Sequence, residues 1–129
     1  MKTVTEHWLN LAEYDLETAR ALLQSERYLY VTFMCHLTIE KALKGLIAEQ
    51  QEEHPPRIHR LLRLAELAGV LDEMTEDQRT FLLRLDPLNI AARYPEDRAA
   101  VGRLLNASFC QRILSETEAT FAWLRQKLS

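Results

Sequence analysis

The residues of this chain that could do chemistry fall into four groups, and the first lies between residues 36 and 44. His36, Glu40 and Lys44 are spaced by four, so a helix would present all three on one face, with Lys41 beside them. An imidazole can transfer a proton near neutral pH, and a lysine ammonium can hold a phosphate as a compact charge. The alternative is structural, with a packed His36 beside a solvated Glu40–Lys44 ion pair.

The second group surrounds His59 at the start of the third predicted helix. Arg57, Arg60 and Arg63 are spaced by three, which predicts one basic stripe beside His59. The amino end of a helix with arginines beside it can bind an anion. The alternative is a histidine that caps the loop.

The third group is Arg93 and Tyr94. Pro95 follows them and biases Tyr94 toward extended backbone. A non-helical arm could place the arginine on a phosphate and the tyrosine on a base. Alternatively, Tyr94 packs on the core and Arg93 bridges to a carboxylate, so that the arm is simply held in place.

The fourth candidate is Asp15, which interrupts an apolar helix face between Leu11 and Ala19. A carboxylate on a buried face is costly unless it is paired or hydrogen-bonded. Asp15 therefore faces a cleft or a subunit interface, or it is the structural partner of a buried Lys, Arg, Tyr or Trp.

Several established catalytic and metal-binding motifs are absent from the sequence. It contains no glycine-rich phosphate loop, no G-x-S-x-G, no C-x-x-C and no H-E-x-x-H. No glutamate has a histidine three residues later, which excludes the usual di-iron site of helical bundles. We therefore expect neither a metal nor a cofactor.

Helices must position these groups, because apolar residues recur at helical spacing along most of the chain. Residues 86–95 contain two prolines and predict an irregular connection. The pattern predicts an all-α, up-and-down four-helix bundle with an additional short helix, in one domain over residues 1–129. The predicted helices span about residues 4–24, 28–50, 57–68, 75–85, and 96 to near the C-terminus.

Composition limits the possible partners and compartments. The net charge of −3 gives no strong field toward nucleic acid or membrane, so an anion site must be local. The sequence has no apolar stretch long enough to span a bilayer and no signal-like N-terminus, which predicts a cytoplasmic protein. The second helix is apolar over a wide arc, so it is central in the bundle or lies in a subunit interface. We expect it to form a dimer seam with parts of the first or last helix.

Three stretches together resemble the HEPN domain family (higher eukaryotes and prokaryotes nucleotide-binding). They are residues 36–44, 56–62 and 92–95, and the resemblance extends over nearly the whole chain. It implies a small helical bundle that pairs as a homodimer, often beside a minimal nucleotidyltransferase in a two-component module. Some of those modules behave as toxin and antitoxin. Many active members are metal-independent endoribonucleases, whose signature is an Arg and a His separated by four to six residues.

This chain departs from that signature, since no arginine lies at the required distance before any of its four histidines. We therefore predict binding of a nucleotide, an RNA or a nucleotidyltransferase partner without catalysis. One alternative is a ribonuclease in which Arg93 acts with His59 or His36 from another segment. Another is an interaction bundle with no ligand site. The predicted ligand-binding residues are Lys41, Lys44, Arg57, His59, Arg93 and Tyr94, and the supporting polar residues are Asp15, His36 and Glu40.

Overall fold

The fold is seen in a computed structural model that describes residues 1–94, 96 and 102–128. Over these residues the secondary structure is helical, which confirms the predicted all-α bundle. No helix in this part of the chain is long and apolar enough to cross a bilayer. The helices are α1 (Thr3–Gln24), α2 (Tyr28–Gln50), α3 (Leu61–Leu67), α4 (Glu76–Ala91) and α5 (Ala107–Gln126), with a 3₁₀ turn at Leu71–Glu73 between α3 and α4.

The long helices alternate in direction, as an up-and-down bundle requires. Side-chain pairs along the helices show that α1 runs against both α2 and α5, and that α4 runs against α2. These pairs are Thr5–Glu49 and Asp15–Lys41 between α1 and α2, Glu13–Arg125 and Arg20–Glu118 between α1 and α5, and His36–Asp86 between α2 and α4, with Phe33–Arg93 just beyond the end of α4.

Helix α2 occupies the centre of the bundle. It packs against α1, α3, α4 and α5, and most of its side chains are buried. Most of the wide apolar arc is therefore buried within one chain, as expected for a helix at the centre of a bundle. Phe33 and Leu37 of the arc are only partly buried, so the expected dimer seam along α2 stays a prediction.

Helix α3 begins at Leu61, four residues later than the sequence predicted. Its first N–H is satisfied from another helix, because Leu61 N donates to Asp86 Oδ1 at 3.3 Å. Arg57 and Arg60 therefore precede the helix, and the predicted helical stripe of three arginines does not form. No local capping signal could have placed this boundary, since Arg60 at the N-cap makes no side-chain cap.

Helix α4 is longer than predicted, and α5 begins later. The capping box of Thr75 and Gln78 opens α4 as expected, but the helix continues through Pro87 to Ala91. Leu85 and Leu88 are buried at and beyond the predicted end, so core packing outweighs the local cost of the proline. Helix α5 starts at Ala107 rather than near Glu96, because the Asn106 side chain caps it by accepting from Phe109 N. Residues 97–101 of the predicted helix lie outside the described residues.

Candidate functional site

Glu40 is the centre of a buried polar cluster on α2. Its Oε2 accepts from Lys44 Nζ at 3.0 Å and from His59 Nδ1 at 3.0 Å. Glu40 and Lys44 are both buried, so the solvated ion pair of the sequence interpretation is wrong. The Lys44 ammonium also lies 5.8 Å from the centre of the Trp8 ring. Its charge is matched by Glu40 inside the protein, and its predicted role in ligand binding stays a prediction.

His36 lies between two carboxylates, one on each side of its ring. It is 1% exposed, and its Nε2 lies 3.0 Å from Asp86 Oδ1 on α4. A carboxylate can only accept, so Nε2 carries the proton of this hydrogen bond. On the other side, Nδ1 is 3.5 Å from Glu40 Oε1, and both atoms are buried without a hydrogen-bond partner. His36 Nδ1 and Glu40 Oε1 therefore face each other without forming a hydrogen bond.

Asp86 joins three helices through one oxygen atom. Its Oδ1 accepts from His36 on α2 and from the backbone N–H of Leu61 at the start of α3, while Asp86 itself belongs to α4. Because His59 lies two residues before Leu61, Asp86 and Glu40 together hold the His59 segment against the bundle. The sequence interpretation missed Asp86, which it assigned to an irregular connection.

A groove of about 490 Å³ opens above this cluster. The His59 side chain is 59% exposed at its rim, although Nδ1 points inward to Glu40. Arg93 is bound to one lining residue, since its Nε donates to Asn89 Oδ1 at 3.3 Å, and its guanidinium lies 5.2 Å from the Phe33 ring centre. The lining residues are His59, Arg60, Leu83, Asp86, Pro87, Asn89 and Ile90.

Of the nine predicted site residues, His59 lines the groove and the other eight do not. Asp15 is buried and pairs with Lys41, whose Nζ lies 2.6 Å from Asp15 Oδ2 between α1 and α2. Asp15 therefore has the structural role of matching a partly buried cation, and Lys41 has its charge compensated. Arg57 and Tyr94 are exposed, and neither lines the groove.

The comparison with protein families decides what kind of domain this is. The family model of the HEPN domain matches residues 5–127. The chain belongs to the HEPN domain family. The protein TT1696 from Thermus thermophilus has a similar fold, with a TM-score of 0.81 at 24% identity over 98% of this chain and 99% of that chain. No curated protein matches the chain significantly.

In this HEPN domain the groove lining combines a held imidazole with Arg60, and a second arginine, Arg93, binds the lining residue Asn89. Arg60 neighbours His59 in sequence, whereas Arg93 follows α4 and is hydrogen-bonded to Asn89. Arg93 and His59 are thus distant in sequence but are connected through the groove, since His59 and Asn89 both line it. Asn89 was also missed. Its only sequence signal is its position three residues after Asp86, on the same face of a helix that was not predicted there.

Proposed function

We propose that this HEPN domain binds a nucleotide or an RNA end in the groove between the His59 segment and α4, without catalysis of its own. The observation that carries the proposal is the fixed His59 ring, held by buried Glu40 at 3.0 Å beside Arg60 and the Asn89-bound Arg93. The family match over residues 5–127 supports treating the whole chain as one domain.

The groove offers separate surfaces to the parts of a nucleotide. Arg60 and Arg93 are exposed cations that can bind phosphate oxygens through their guanidinium groups. The apolar side chains of the lining form a wall suited to a sugar or base face. Tyr94 is exposed directly after Arg93, where its ring can stack on a base. Arg57 adds an exposed positive charge near the His59 segment.

Calorimetry with mononucleotides and short RNAs, at low and moderate salt, tests this proposal. We expect Arg93→Ala and His59→Ala each to weaken binding about tenfold, since each removes a direct contact. Arg112→Ala is the matched control, because Arg112 is exposed on α5 beside Phe109 and does not line the groove. If all three variants bind these ligands equally well, the groove is excluded as the binding site. If the unmodified protein binds none of them, the proposal is refuted.

Metal-independent RNA cleavage is the second candidate, and the geometry of His59 favours it. The ring is anchored at Nδ1 by a buried carboxylate and is exposed elsewhere, which is how a general acid or base is oriented. Arg93 could then stabilise the developing charge on a phosphodiester. Incubation of the same RNAs with the protein in the presence of EDTA distinguishes binding from metal-independent cleavage. Cleavage that is lost in His59→Ala would replace the binding proposal, whereas intact RNA would support it.

A homodimer is part of the proposed function, and α1 offers a surface for it. Val4, His7, Leu11 and Tyr14 lie on one exposed face, of which Tyr14 is 67% and Leu11 48% exposed. Burying this stripe against a second copy would remove large apolar side chains from water. In light scattering we expect a dimer that Leu11→Asp converts to a monomer. Ile90→Asp is the control variant, and we expect it to remain a dimer. If Ile90→Asp is a monomer while Leu11→Asp is a dimer, the interface lies at the groove wall and not on α1.

The partner protein in the proposed two-component module is a minimal nucleotidyltransferase, an assignment that rests on the family. Co-expression with such an enzyme followed by affinity capture tests it, and we expect the two proteins to elute together. Capture of a different protein, together with a groove that binds no nucleotide, would favour an interaction bundle with no ligand site.

A further inference from the structure

Two hydrogen-bond acceptors face the groove, and both are set by the buried cluster beneath it. His59 donates its Nδ1 proton to Glu40, so a neutral ring presents the lone pair of Nε2. Asp86 uses Oδ1 for His36 and Leu61, and no described residue donates to Oδ2. The Asp86 side chain is 28% exposed and lines the groove together with His59.

Such a pair of acceptors selects donors in the ligand. Phosphate oxygens only accept and carry negative charge, so they are repelled by a carboxylate and belong beside the arginines. A ribose carries two neighbouring hydroxyls, and each can donate to one acceptor. The apolar wall formed by Leu83, Pro87 and Ile90 suits the carbon face of the sugar.

We propose that the groove recognises the vicinal 2′,3′-diol of a ribonucleotide or of an RNA 3′ end. Asp86 Oδ2 accepts from one hydroxyl and His59 Nε2 accepts from the other, while Arg60 and Arg93 hold the phosphate. This inference rests on the proposed binding function, because it assigns the sugar that the same groove takes.

Ligands that lack one hydroxyl provide the test. Calorimetry would compare AMP with 2′-deoxy-AMP and 3′-deoxy-AMP, and an RNA octamer ending in a free diol with the same octamer ending in a 3′-phosphate. We expect each missing hydroxyl to weaken binding about tenfold, because each removes one hydrogen bond to the groove. If both deoxy compounds bind as tightly as AMP, the diol assignment is overturned, but nucleotide binding is left intact. No binding of any of these ligands would overturn the binding function itself.

The same series distinguishes the two sources of a diol. Tighter binding of the diol-ended octamer than of AMP identifies an RNA 3′ end, since only the octamer extends beyond the groove. Tighter binding of AMP identifies a free ribonucleotide. Both results support the diol assignment, provided that the discrimination against the deoxy forms is present.

Two variants connect the discrimination to the named atoms. Asp86→Asn keeps an oxygen for His36 and Leu61 but replaces the free acceptor with an amide donor, so we expect the preference for the diol to be lost. Asp72→Asn, an exposed carboxylate in the 3₁₀ turn, is the control. His59→Phe keeps an aromatic ring without the acceptor and remains informative if Asp86→Asn lowers stability. Unchanged discrimination in folded His59→Phe protein would overturn the assignment.

Discussion

At the scale of single residues, the carboxylates Glu40 and Asp86 explain why the polar groups of this domain are buried. Glu40 Oε2 and Asp86 Oδ1 each receive two donors, and in both cases one donor comes from the segment of residues 59–61. A buried charge needs such partners, because desolvation is costly when any of them is missing. The same contacts that stabilise the fold therefore also orient His59.

Glu40→Gln should destabilise the protein by about 3 kcal/mol, because it leaves the buried Lys44 ammonium without an opposite charge. Urea unfolding would measure the change. Glu66→Gln is the control, since it breaks an exposed i,i+3 pair with Arg63 and should change the free energy of unfolding by less than about 0.5 kcal/mol. Similar losses in both variants would show that Glu40 and Lys44 are hydrated.

Glu26→Gly should stabilise the protein by about 0.5–1 kcal/mol, because glycine adopts a positive φ without the steric cost of a Cβ. Glu26 has a φ of 62° in the turn between α1 and α2. Thermal unfolding would measure the gain. Ser25→Gly, at a φ of −90°, should instead lose stability, because it adds freedom to the unfolded chain and removes the hydroxyl that donates to Ala21 O and Leu22 O. A loss in Glu26→Gly would mean that the turn has a different conformation in solution.

At the scale of elements, α4 shows how packing overrides a local signal. Pro87 lacks an N–H and its ring crowds the preceding turn, so the sequence predicts a break near residue 86. The helix nevertheless continues, with Pro87 on its exposed side and Leu88 and Asn89 buried. This continuation places Asp86 and Asn89 on one helical face along the groove.

Pro87→Ala should stabilise the protein by about 1–3 kcal/mol, because it restores a helical hydrogen bond and improves helix propensity. The midpoint of urea unfolding would measure the effect. Pro56→Ala, in the loop before α3, should be neutral or slightly destabilising, because that proline restricts the unfolded chain without interrupting a helix. A gain of the same size in both variants would contradict the helical assignment at Pro87.

The contact between the start of α1 and the end of α2 should make stability depend on pH in acid. Hydrogen bonds from the Lys2 N–H and the Thr5 hydroxyl, both 2.9 Å, hold the pKa of the Glu49 carboxyl below its ordinary value of 4.5. A lowered native pKa contributes stability above the unfolded value, and this stability is lost as the pH falls through the native pKa.

Glu49→Gln should therefore reduce the loss of stability between about pH 5 and pH 3, a range that begins just above the ordinary carboxyl pKa and extends below it. Urea unfolding across this range would test it, with Glu53→Gln in the exposed loop as the control. Parallel pH profiles for the unmodified protein and Glu49→Gln would show that the Lys2 and Thr5 contacts do not form in solution.

At the scale of the whole molecule, α2 organises a single core, and the two thiols report on its opening. Cys35 on α2 and Cys110 on α5 are fully buried in the same hydrophobic cluster. Burial raises the pKa of the Cys35 thiol to about 12 and that of Cys110 to about 11. Since the thiolate is the reactive form, both side chains should be inert while the bundle is closed.

Reaction with a disulfide reagent at about pH 8 should be slow for both thiols in the native protein and rapid in denaturant. We expect one common rate, equal to the rate of global unfolding at high reagent concentration, because α2 and α5 pack together. Cys110→Ser would leave the Cys35 rate as the reference. A fast phase that disappears in this variant would show that α5 opens independently of α2.

Much of the helical framework was predictable, because helix patterns depend on residues three or four apart. The bounds of α2 agree with the sequence prediction, and the Thr75–Gln78 box opens α4 as expected. The same local logic failed at Leu61, where the first helical N–H is satisfied by Asp86, 25 residues away. It failed again at Pro87, where burial of the residues that follow outweighs the local cost of the proline.

The sequence by itself therefore determined the all-α class, the bounds of α2 and the family, since each depends on short-range spacing or on motifs in order. The central place of α2 was decided by packing. The tertiary structure alone decided which charges remain available to a ligand. It paired Lys41 and Lys44 with carboxylates of the bundle, and it brought His59, Asp86 and Asn89 to one groove. The physical reason is that pairing of buried charges depends on the approach of helices far apart in the chain, and this approach is set by the packing of the whole core.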